Sequence, residues 1–122
     1  MQTPKTVNLN EKFSLFSDHW KQRVIGEFND SQVKVVKIKG EFVWHHHDNE
    51  DELFLVTKGT LRMKFRDHES RVGPGEFIIV PRGVEHCPAA DEEVHIVLIE
   101  PKSTLNTGNI TNERTVAQLE HI

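Results

Sequence analysis

Residues Gly40 to Gly59 read GEFVWHHHDNEDELFLVTKG, a run of three histidines followed shortly by a glutamate. On an extended strand, alternate side chains share a face, so His45 and His47 point together while Trp44 and His46 point the other way. Two imidazoles on one face make a chelating pair. Glu52 lies five positions beyond His47, an odd offset that a continuous strand would send to the wrong face. The intervening Asp48-Asn49-Glu50-Asp51 is turn-forming and resets that parity, returning the carboxylate to the histidines. Glu50 and Asp51 are alternative carboxylates in the same turn, each also readable as a solvated turn residue. His46 reads as a surface histidine and Trp44 as packing.

Outward from this stretch, the chain reads as many short strands. Leu61-Arg62-Met63-Lys64-Phe65 alternates cleanly, with Leu61, Met63 and Phe65 toward a core and the basic residues toward solvent. Strands are expected at Glu41 to His47, Glu52 to Thr57, Glu76 to Val80 and Val94 to Ile99, with a turn at Asp67 to Ser70. Upstream, a helical turn begins at the cap residue Asn10 and runs through Phe16. His19 to Phe28 and Gln32 to Lys39 form a hairpin about Asn29-Asp30-Ser31. Downstream of Pro101 the polar stretch 102–112 wraps the surface before an amphipathic segment, Val116 to Ile122. Glycine or proline punctuates most turns, and the whole is an all-β sandwich or barrel. Phe54, Met63, Phe65, Phe77 and Ile79 share parity with ligand or core positions and read as core packing, with walling a pocket as the alternative. Leu53 and Leu55 face the other way yet are apolar, which calls for a covering N-terminal segment or a partner subunit on that side.

The chain of 122 residues suits one domain. Its net charge of −4, with mixed signs and no basic block, gives no electrostatic footprint for nucleic acid or an anionic membrane. No apolar run approaches the roughly 20 residues of a bilayer span, and the N-terminus lacks the apolar core of a signal peptide. The expectation is a cytoplasmic protein with small-molecule partners. The single Cys87 has no partner for an internal disulfide and reads as a packed thiol.

A second motif, Gly75-Glu76-Phe77-Ile78-Ile79-Val80-Pro81-Arg82-Gly83-Val84-Glu85-His86, spaces a glycine, a proline, a glycine and a histidine in order. Together with His45, His47, Glu52 and Gly59, it resembles the two signature motifs of the cupin superfamily, in its small single-domain, RmlC-like form. The resemblance implies a jelly-roll double-stranded β-helix, with residues 32–101 as the barrel. Residues 1–31 are then an arm and first strands of the same domain, and residues 102–122 a tail with a short helix. It further implies that His45, His47, Glu52 and His86 bind one divalent metal inside the barrel, and that the protein is a homodimer through the Leu53 and Leu55 side.

Three imidazoles and one carboxylate suit Mn, Fe, Co, Ni or Zn better than Ca or Mg. An octahedral ion would keep two positions open for water or a chelating substrate. The leading expectation is a metal-dependent enzyme on a small oxygen-rich molecule, either an isomerase of sugar-like substrates or a dioxygenase. The competing one is a non-catalytic module that binds or senses a small ligand or the metal. An isomerase needs a base, and Glu50, Asp51, His95 and Glu100 are the titratable candidates. A dioxygenase needs none.

Overall fold

A computed structural model describes residues 3–122. Among them the elements run α1 Leu9–Phe13, β1 Arg23–Phe28, β2 Ser31–Glu41, β3 Glu52–Lys58, β4 Leu61–Phe65, β5 Glu69–Val72, β6 Phe77–Val80, β7 His86–Pro101 and β8 Glu120–His121. Strand β7 is the hub: β2 pairs along its length, β4 pairs its first half from His86 to Ala89, and β3 pairs its second half from His95 to Ile99. A strand that changes neighbours midway rolls the sheet over, and the result is the all-β jelly-roll barrel that the motifs imply.

Register decides which residues face in. Directly opposed residues share a face, and Val36, Ile38, Phe54, Val56, Leu61, Met63, Val72, Val80, Val94, Ile96 and Leu98 all point into one buried core. The outer face carries a second cluster, in which Phe13 and Phe16 cover Val35 and Val97, with Leu55 packed against them. Of the two ways to bury the Leu55 side, the N-terminal segment therefore supplies one. Helix α1 is capped by Asn8, whose Oδ1 accepts from Glu11 N at 3.0 Å, so the cap lies two residues before the expected Asn10, and the helix ends at Phe13 rather than running through Phe16.

Several expected boundaries move. Residues 42–44 are not strand; β2 ends at Glu41, after Gly40 at φ 84° and an irregular register between Ile38 and Gly40. Beyond it only His45 is bridged. Glu69 and Ser70, expected in a turn, belong to β5, and β7 is far longer than Val94 to Ile99 because β4 extends the ladder back to His86. Phe77 and Ile79 neither pack in the core nor wall a pocket. They oppose Leu55 and Leu53 on the outer face, 59% and 53% exposed, because Ile78 and Val80 oppose the inward Phe54 and Glu52. The tail forms no helix at Val116 to Ile122. A segment this short nucleates poorly, and it pairs instead as β8 in parallel with β1, with Ile122 N donating to Val24 O at 3.0 Å.

Candidate metal centre

The first and second motifs meet through the backbone. His45 N donates to His86 O at 3.0 Å and His86 N to His45 O at 2.9 Å, a two-bond bridge that sets the two rings 4.4 Å apart between centroids. His47 O accepts from Gly83 N at 2.8 Å, which fastens the histidine run to the turn of the second motif. Glu52 opens β3 and points inward, so the Asp48–Asp51 turn does reset the parity; Asp51 anchors that turn by accepting from Arg82 N at 2.8 Å. The four side chains converge, each offering one donor atom within 4.8 Å of the others, and all are buried.

Their chemistry fits a cation. The Nδ1 atoms of His45 and His86 each lie 2.9 Å from a backbone carbonyl two residues back, Val43 O and Val84 O. That contact places the proton on Nδ1 and frees the Nε2 lone pair. His47 Nε2 and His86 Nε2 lie 2.8 and 3.2 Å from Glu52 Oε1, yet none of the three atoms has a well-directed hydrogen-bond partner. Buried, orphaned and mutually facing lone pairs are what a metal ion satisfies. Burial, reinforced by neighbouring His86, pushes His45 down to about 4, so its ring is neutral and ready to ligate near neutrality.

Burial alone would raise the Glu52 carboxyl. A hydrogen bond from Glu100 and the facing His47 and His86 outweigh it and hold Glu52 well below the usual range. Glu100 is raised well above that range by burial and by the Glu52 charge. Behind Glu100 stands Lys34, its Nζ 2.8 Å from Glu100 Oε1 with both side chains fully buried. The sequence reading missed Lys34. The signal was parity, since Lys34 alternates with Val36 and Ile38 on the core face of β2.

The remaining candidates separate cleanly. His46 points away and bonds Asp48 Oδ1 at 2.9 Å. Glu50 accepts from Ser103 Oγ at 2.9 Å. His95 lies on the outer face, stacked on Phe13 at 4.7 Å. Cys87 is fully buried with its thiol raised by burial, as a packed thiol should be. Trp44 lies beneath the Arg66 guanidinium at 3.9 Å, clear of the cluster. A cavity beside His45 and Glu52 is lined by Trp20, Ile38, Phe42, Phe54 and Leu98, with Gln22 and Asn106 as its uncharged polar groups. Trp20 is held there at φ 68° by bonds from its N to Lys37 O and its Nε1 to Lys39 O.

A β-barrel with three histidines and a glutamate facing inward from two motifs is the architecture of the cupins. The chain belongs to the Cupin_2 family, described as the cupin domain, which matches residues 33–100, more than half of the 122 residues. It is similar to a cupin-2 domain-containing protein from Shewanella frigidimarina of known crystal structure, at 53% identity and TM-score 0.78, covering 79% of this chain and 94% of that one. It is also similar in structure to protein NMB1881 from Neisseria meningitidis, at 27% identity and TM-score 0.74, covering 80% of this chain and all of that one. The uncharacterized protein YdbB of Bacillus subtilis is 40% identical over 63 residues, 51% of this chain; the chain spans 56% of that relative's length. Among the described residues no helix is long and apolar enough to cross a membrane.

Proposed function

We propose that His45, His47, Glu52 and His86 hold one divalent transition metal and that the protein is a metal-dependent enzyme of the dioxygenase type. Its substrate would be a small molecule with an oxygen for the metal and a largely apolar body. The observation that carries this reading is the cavity wall, whose titratable groups among the described residues are only the ligands His45 and Glu52. An isomerase of sugar-like substrates needs a separate base and a polar wall. Glu50, Asp51 and His95 are engaged elsewhere, and Glu100 lies behind Glu52 rather than on the cavity. A bound metal with open positions would supply a place for substrate oxygen and O2 side by side. The protein's own part is to orient the imidazoles, to hold the carboxylate ionised and to exclude water with Phe42, Phe54 and Leu98. The cavity is partly open to solvent and its water-accessible space is about 30 Å³, so substrates are small or enter as the stacked Trp20–Phe42 wall shifts.

The test is oxygen uptake by the Fe(II)-loaded protein against phenols, diketones and sugars, alongside proton exchange under anaerobic conditions. Uptake with an apolar phenol or diketone is expected. Exchange into sugars without uptake would favour the isomerase, and neither activity would favour the second reading, a non-catalytic binding or sensing module.

We also propose a homodimer. The register aligns Ile79, Leu53 and Ile99 in one row across β6, β3 and β7 on the outer face, beyond the cluster that Phe13 and Phe16 cover, while Val33, next in that row on β2, packs against the cluster. Such a row, with Phe77 beside it, is an apolar strip suited to a second copy.

A further inference from the structure

The segment that follows the family-matched 33–100 closes over the histidine run. Asn109 N donates to His46 O at 3.0 Å, and His46 N donates to Asn109 Oδ1 at 2.9 Å, so one residue takes both main-chain groups of the middle histidine. Gly108, at φ +58°, lies so close that a Cβ there would come 2.2 Å from His46 O and 3.0 Å from His45 Cδ2. The loop behind them is itself tied down. Asn106, 6% exposed, donates to Arg114 O at 2.8 Å and accepts from Val116 N at 2.9 Å; fully buried Thr107 bonds Ile110 O and Thr115 Oγ1.

The ladder does not do this work. Residues 42–44 are irregular, His45 is bridged only to His86, and His47 is held by its carbonyl to Gly83. The peptide units on either side of His46 set the angle between the His45 and His47 rings. We propose that Asn109 is a positioning residue for the metal centre, seated by Gly108, and that metal affinity is set in part from this loop outside the matched domain. The middle histidine acts through its main chain, while its side chain is dispensable. Because the loop orders the ligands, the metal in turn orders the loop, since coupling between two binding events is reciprocal.

This inference rests on the metal reading, and the experiment separates the two. Co2+ is titrated into metal-free wild type, Asn109→Leu, Asn109→Asp, Gly108→Ala and His46→Ala, and amide exchange is followed with and without the ion. Asn109→Leu should weaken the Co2+ dissociation constant about tenfold or more, the scale of groups that orient metal ligands. Asn109→Asp keeps the accepting oxygen and should stay near wild type, as should His46→Ala. Gly108→Ala should weaken Co2+ at least as much as Asn109→Leu; should it fail to fold, the Asn109 pair carries the test. In wild type, Co2+ should slow exchange at the amides of His46 and Asn109, which a loop of purely structural role would not show. Wild-type affinity in Asn109→Leu, or exchange at those amides indifferent to Co2+, overturns the positioning role. Loss of affinity in His46→Ala equal to that in Asn109→Leu overturns it too. If wild type takes up no Co2+, or His45→Ala and His86→Ala take it up as well as wild type, the metal reading itself has failed.

Discussion

Lys34 and Glu100 are fully removed from solvent, with Lys34 Nζ donating to Glu100 Oε1 at 2.8 Å and the Glu52 charge nearby. A buried pair of this kind adds little against an apolar substitute but is costly to break on one side. Glu100→Gln keeps an acceptor for Lys34 and a donor for Glu52, and should leave the fold near wild type. Glu100→Leu strands a buried ammonium and should cost about 3 to 5 kcal/mol in urea unfolding of the metal-free protein. Equal loss in both would show that hydrogen bonding along this line is unimportant. For the proposed ligands, His45→Ala, His47→Ala and His86→Ala should each lower metal occupancy steeply and His46→Ala should not, as measured by metal analysis of untagged protein. Equal loss in all four would sink the assignment. Strand alternation predicted His45 and His47 together and His46 apart, and the side chains separate that way although past Glu41 the backbone is held by the His86 bridge and by Asn109 rather than by a ladder. Glu100 was legible only as a titratable residue. That it stands behind Glu52 depends on β3 and β7 lying side by side.

At the scale of elements, the N-terminal segment is docked by apolar cover and by charged contacts, among them Arg23 with Asp18 and a clasp on Glu93. Glu93 Oε1 lies 2.8 Å from His19 Nε2, and Glu93 Oε2 lies 3.1 Å from His95 Nε2, so β7 and the segment before β1 share one carboxylate. Hydrogen bonds from His19 and then His95 hold Glu93 down to about 2. Since the folded value lies below the ordinary 4.5, the unfolded chain takes up the proton first as pH falls. The contribution is whole above about 4.5 and is lost as pH drops toward about 2. Glu93→Gln should thus be less stable than wild type near neutrality, with the gap closing across that window in acid unfolding of the metal-free protein. A gap that stays constant with pH would rule the clasp out. This clasp was invisible in the sequence, where 74 positions separate His19 from Glu93.

Across the whole molecule, the jelly roll leaves one outer sheet face half covered. Helix α1 and Phe16 shield the row through Leu55 and Val97, while the row through Leu53 and Ile79 stays open. If a second copy covers it, Leu53→Glu or Ile79→Glu should turn a dimer into a monomer by light scattering after size exclusion, with little change in metal content. A wild type that is already monomeric would dismiss the dimer.

Two kinds of information meet in this protein. The amino-acid sequence by itself made the all-β class, the pairing of His45 with His47 and the return of Glu52 after an acidic turn legible in alternation and turn chemistry, while the barrel and the place of the distant His86 came from the resemblance that the two motifs carry. Only the tertiary structure decided that Phe77 and Ile79 face outward, that the tail ends as a strand, that Lys34 and Glu100 back Glu52, and that Asn109 grips His46. Those facts depend on which strands lie opposite each other and in what register. Register is settled by burial summed over the whole sheet rather than by any local run of residues.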